Sequence, residues 1–135
     1  MDKRELIRLA ERYYTALQVA AMESAADYAT EMHSGQVRKS GEPYITHPLR
    51  VAATLIEWGM DADSVVAGIL HDTVEDTKAT LEEVKELFGR DVAFLVDGVT
   101  KVSQARSGMR DLSSYLPTTK DNLTKLLIAV GQDVR

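Results

Sequence analysis

Apolar residues recur three and four positions apart along most of the chain, and strict alternation is scarce. Leu6, Leu9, Ala10, Tyr13 and Leu17 mark a first helical stretch, and Ala21, Ala25, Tyr28, Ala29 and Met32 a second. β-branched residues share this period, as in Val84 with Leu87 and Phe88, so the predicted fold class is all-α. Ser34 to Thr46 carries two glycines and a proline and is predicted as a loop. Helix resumes at His47, with Pro48 in a first turn that does not need its missing N–H, and stops at Gly59. Asp63 or Ser64 is the expected cap of the next helix, which carries Val65, Val66, Ile69, Leu70 and Val74. Thr80 with Glu83 three residues on forms a capping-box pattern for a short helix ending near Gly89. Another helix is predicted over Asp91 to Lys101. A mobile loop is expected over about 103–119, where Gly108 and Pro117 interrupt a polar run, and a last helix from about Lys120 to Val130.

Composition narrows the classes. At 135 residues the chain suits one domain, and its 44% hydrophobic and 27% charged residues suit a packed core. The absence of cysteine excludes disulfides, thiolate metal sites and cysteine nucleophiles, and fits a reducing compartment; the expected location is cytoplasmic. No apolar run reaches membrane-spanning length, and the mixed-charge start has no signal-peptide pattern. A net charge of -5 with 6% aromatics argues against direct nucleic-acid binding. Charge is segregated, however. His71 to Asp91 holds seven acids and three bases, whereas Ser34 to Arg50 sets Arg38, Lys39 and Arg50 against Glu42. A positive loop and an acid-rich helix at one site would hold an anion and a cation side by side.

The chemistry concentrates in His71-Asp72-Thr73-Val74-Glu75-Asp76. On one continuous helix with His71 at zero, Glu75 falls near 40°, Asp72 near 100° and Asp76 near 140°, with Gly68 leaving that sector uncrowded. One imidazole and three carboxylates then share a face. A solvated polar helix end is the plain reading. Against it, Asp72 and Asp76 repel at i,i+4, and acids near a helix C-terminus oppose its dipole. A divalent cation would relieve both costs. A further ligand must come from elsewhere, and among three histidines His47, at the start of the preceding helix, is the best candidate. Two imidazoles and a carboxylate suit Mn²⁺, Fe²⁺, Co²⁺ or Zn²⁺ better than Ca²⁺ or Mg²⁺. Such an ion makes water acidic enough to ionise near neutral pH, and Glu75 and Asp76 are placed for proton transfer. His33 reads as a helix-end histidine with a structural hydrogen bond. Tyr44 reads as an aromatic that packs the loop on the core or stacks on a base. Tyr13, Tyr14, Met22, Tyr28 and Met32 read as core or interface.

Three motifs in order complete the picture: HSGQVRKSGEPYITHP from His33 to Pro48, ILHDTVEDT from Ile69 to Thr77 with Phe88-Gly89, and LVDGVTK from Leu95 to Lys101. From about Ala25 onward the sequence resembles the RelA/SpoT family of guanosine polyphosphate enzymes, its last motif nearer the long two-activity members than the small hydrolases. The resemblance implies an HD-domain helical bundle, Mn²⁺-dependent, that removes the 3′-pyrophosphate of (p)ppGpp to give GDP or GTP. It implies His47, His71 and Asp72 as metal ligands, Glu75 and Asp76 as the catalytic acids, and Arg38, Lys39 and Ser40 as the loop that binds the guanine nucleotide. The family's fourth ligand is an aspartate in a later helix, beyond Asp133-Val134-Arg135. The expectation is therefore a partial HD domain over 1–135, truncated before its last helices, whose uncovered core could be closed by homodimerisation. The alternatives are an inactive regulatory domain with a structural metal site, or an HD phosphohydrolase for another nucleotide.

Overall fold

The computed structural model describes residues 1–36, 41, 43–101, the backbone of 102–105, and residues 125, 126, 128 and 130. Among them are seven helices and no β-strand: α1 (Lys3–Glu11), α2 (Ala16–Met32), α3 (Thr46–Glu57), α4 (Ala62–Leu70), α5 (Thr73–Asp76), α6 (Leu81–Phe88) and α7 (Arg90–Ala105). This is the all-α class that the periodicity predicts. Three helices begin in the same way. Asp2 with Glu5, Thr15 with Gln18 and Thr80 with Glu83 are reciprocal capping boxes, each satisfying two backbone N–H groups that no helical carbonyl can reach. Gly59 and Gly89, at φ 72° and 102°, follow α3 and α6 in the left-handed region where a Cβ would be strained.

The core is organised around α4. Ser64 to Leu70 are all buried, so beyond its first turn this helix meets protein on every side, and α2, α3 and α7 pack around it. Gly68 makes the α3 contact close: a Cβ there would stand 2.6 Å from Leu55 Cδ1. It therefore packs against α3 and is not an open gap in the acidic face. Leu126, fully buried, lies against the same spot.

Several boundaries differ from the periodicity reading, each for a local reason. The first apolar stretch breaks between Glu11 and Ala16, because Thr15 caps α2 anew; Tyr13 and Leu17 are left 65% and 82% exposed. The inward face of α2 is Val19, Met22, Ala25, Ala26 and Ala29. Asp61, not Asp63 or Ser64, precedes α4, and its carboxylate accepts from the Ser64 hydroxyl at 2.7 Å. Helix α7 continues to Ala105, past the expected end at Lys101; the loop expected over about 103–119 lies, from 106 on, outside the described residues. No helix among the described residues is long and apolar enough to cross a membrane.

Candidate metal centre

The segment from Gly68 to Asp76 is two helices, not the single helix of the sequence reading. Side chains capture the carbonyls at the end of α4. His71 Nδ1 donates to the Gly68 carbonyl at 2.6 Å, and the Thr73 hydroxyl to the Leu70 carbonyl at 2.8 Å. Competition of this kind ends a helix without proline or glycine. The chain restarts at once as the single turn α5, where the Asp76 N–H reaches the Asp72 carbonyl. The break aims Asp72 at His71. Asp72 and Asp76, the i,i+4 pair of the sequence reading, both meet the Tyr44 hydroxyl, with Glu75 and Asp76 exposed.

His47 comes from the first turn of α3, where overlapping turns bring the chain in: Thr46 N–H reaches Pro43 and His47 N–H reaches Tyr44. It is buried, as is His71. Their Nε2 atoms stand 3.1 Å apart. Asp72 Oδ2 lies 3.1 Å from His71 Nε2 and 3.6 Å from His47 Nε2. Neighbouring ligands of an ion held at about 2.1 Å stand about 3.0–3.4 Å apart; two edges of the triangle fall in that span and the His47–Asp72 edge is slightly wider, which still leaves a point within about 2.1 Å of all three atoms. The tautomer fits too, since a His71 that donates from Nδ1 leaves the Nε2 lone pair facing the centre. Donor set and spacing therefore suit a divalent transition ion. His47, His71 and Asp72 are the residues that could hold it.

Burial alone would raise the Asp72 pKa, but the hydrogen bond and charge of His71, the Tyr44 hydroxyl and the charge of His47 outweigh it and lower it to about 2. Burial opposes a charged His71; the hydrogen bond and charge of Asp72, the Gly68 carbonyl and Asp76 overcome this and raise its pKa. A depressed Asp72 stabilises the fold above the ordinary carboxylate value of 3.8 and loses that contribution, about 2 kcal/mol, as pH falls through about 2. A raised His71 stabilises it below 6.5 and loses that contribution as pH rises past its folded value. Thermal unfolding without metal should thus show a plateau between these limits and a decline on the alkaline side. Mn²⁺ should raise the midpoint more at pH 8 than at pH 5, because ligation needs unprotonated imidazoles. An equal rise at both would contradict this arrangement.

Tyr44 is the residue whose role the sequence left undecided. Its hydroxyl lies 2.9 Å from Asp72 Oδ2 and 3.0 Å from Asp76 Oδ2, and its ring stacks on His33. Burial and the two carboxylates raise its pKa, keeping the phenol a donor. Glu75 has its pKa raised by burial and then by the charges of Asp76 and Asp72, which suits it to carry a proton. A cavity of about 590 Å³ opens beside Asp76, bordered by Ser34, Gln36, Thr77 and Lys78. Another of about 520 Å³, between Leu17, Val66, Leu87 and Phe88, touches none of the site residues. Arg38, Lys39 and Ser40, expected to bind nucleotide, lie outside the described residues.

The sequence matches the family described as HD domain over residues 25–135. The chain belongs to the HD domain family. Within it, this HD domain corresponds to the HD region of RelA/SpoT-type proteins. It is 48% identical over 124 residues, 92% of its length, to a Myxococcus xanthus protein named GTP pyrophosphokinase. It is 46% identical over 114 residues, 84% of its length, to an Aquifex aeolicus protein named guanosine-3′,5′-bis(diphosphate) 3′-pyrophosphohydrolase. These matches cover 16% and 15% of the relatives, so the HD domain spans about a sixth of their length. A solved structure, described as a metazoan ortholog of SpoT that hydrolyzes ppGpp, shares the fold at a TM-score of 0.58 and 23% identity, covering 90% of this chain and 89% of that one.

Proposed function

We propose that this HD domain hydrolyses the 3′-pyrophosphate of (p)ppGpp in the cytoplasm, giving GDP or GTP and pyrophosphate, with Mn²⁺ as its metal. The observation that carries this reading is the convergence of His47, His71 and Asp72 on one point, from three elements, in a chain with a named 3′-pyrophosphohydrolase among its relatives. A divalent ion held there supplies Lewis acidity to a phosphate oxygen and lowers the pKa of water. The protein does the remainder. His71, fixed by the Gly68 carbonyl, and Asp72, fixed by Tyr44, set the ligand positions. Glu75 and Asp76 border the centre on its exposed side. Glu75, with its raised pKa, takes the proton of the attacking water as the bond between phosphorus and the ribose 3′ oxygen breaks, and returns one to that oxygen. The cavity beside Asp76 offers room for phosphate groups next to the Lys78 ammonium. Arg38, Lys39 and Ser40 hold the guanine nucleotide.

The test is pyrophosphate release from ppGpp by a polypeptide containing these 135 residues, with Mn²⁺ and with EDTA. Release from ppGpp with Mn²⁺ alone, and none from dGTP, is the expected result. Equal turnover of dGTP would point to an HD phosphohydrolase for another nucleotide. Metal binding without turnover of either would mean a structural site.

A further inference from the structure

We infer that Tyr44 is a positioning residue of the metal centre, its hydroxyl fixing the Asp72 and Asp76 carboxylates and its ring braced by His33. The inference rests on the metal-dependent reading of the same site and deepens it. Asp72 and Asp76 are one turn apart on the same side, where two anions repel. The Tyr44 hydroxyl is within hydrogen-bond distance of both, and its one proton, shared between their facing oxygens, removes part of that cost. The oxygen it meets on Asp72 is Oδ2, the atom that also faces both imidazoles. The hydroxyl therefore selects the side-chain rotation that puts Oδ2 at the centre. Hydrogen-bond partners that orient ligands in this way are worth about 10–100-fold in metal affinity.

The brace behind Tyr44 is continuous. The His33 ring lies 4.5 Å from the Tyr44 ring at 21°, and the His47 ring meets its edge. His33 Nδ1 donates to Gln36 Oε1 at 3.1 Å, while Gln36 Nε2 donates to the Asp76 carbonyl at 3.1 Å. The Tyr44 N–H closes the loop on the Gln36 carbonyl at 3.2 Å. The segment between α2 and α3 thus grips α5 twice, once through Gln36 and once through Tyr44. His33 Nε2 is buried with no hydrogen-bond partner among the described residues, a cost of about 1–3 kcal/mol that ordinary packing would avoid. A flat ring under Tyr44 with a donor aimed at Gln36 is what that cost maintains.

Mn²⁺ titration, by calorimetry, of the same polypeptide containing these 135 residues, with far-ultraviolet circular dichroism on the same samples, tests the inference. Tyr44→Phe keeps both ring contacts and removes only the hydroxyl. It should weaken Mn²⁺ binding by about tenfold or more with the helical signal unchanged, and saturating Mn²⁺ should restore the part of ppGpp turnover lost through the metal, leaving only the deficit from a loosened Asp76. His33→Leu, which touches neither carboxylate, should weaken binding by a smaller factor through the loss of the brace. Wild-type affinity in Tyr44→Phe overturns the inference even if the chain hydrolyses ppGpp. Wild-type affinity in His33→Leu removes His33 from it. A wild-type chain that binds no Mn²⁺ overturns it together with the metal-dependent function, whereas Mn²⁺ binding that depends on Tyr44 without ppGpp turnover leaves it standing and rejects the substrate alone.

Discussion

Asp72→Asn is expected to weaken Mn²⁺ binding by more than about a hundredfold, beyond what residues that merely orient ligands contribute, and to abolish ppGpp hydrolysis with it. The amide keeps the shape of the side chain and removes its charge. Two interactions depend on that charge, the ion itself and the ion pair that raises the His71 pKa, and the hydrogen bond from the Tyr44 hydroxyl is weakened to one with a neutral acceptor. Calorimetric titration and pyrophosphate release measure the two effects separately. An Asp72→Asn variant that binds Mn²⁺ within tenfold of wild type would show that the ion sits elsewhere.

Leu55→Ala is expected to cost about 3 kcal/mol and to lower the thermal midpoint by about 10 °C. Leu55 is fully buried, and its Cδ1 fills the space that the missing side chain of Gly68 leaves open. Truncation empties the seat between α3 and α4, the two helices that present His47 and His71. The same variant should therefore bind Mn²⁺ more weakly even well below its unfolding temperature, since the Gly68 carbonyl that orients His71 rests on that seat. Scanning calorimetry gives the first number. A shift under about 2 °C would mean that the cavity collapses without strain.

Helix content, the Thr80 capping box and the stop at Gly59 were readable from residue type and spacing, while His47 was a choice among three histidines that the fold places within ligand distance of His71 and Asp72. Two other capping boxes, Asp2 with Glu5 and Thr15 with Gln18, obey the same rule; the second explains why Tyr13 and Leu17 do not face the core. The break after Leu70 was not readable. His71 and Thr73 end α4 by taking carbonyls through their side chains, and the apolar period runs on through Val74 undisturbed. A wheel drawn through the break already set Asp76 beside Asp72, and the fold keeps that pairing, with Tyr44 between them, although α4 ends before Asp72. Tyr44 escaped for another reason: its partners lie 28 and 32 positions away, and no local pattern encodes a contact at that range.

The division between α4 and α5 also separates what mutation can reach. Both imidazoles hang from helices anchored in the core, so drift at buried positions such as Leu55 or Leu70 is felt by them first. The carboxylates ride on a four-residue turn whose Glu75 and Asp76 face water. A substitution at exposed Glu75 therefore leaves the packing around both imidazoles in place, whereas one at buried Thr73 or at Asp72 reaches the end of α4 and His71 as well.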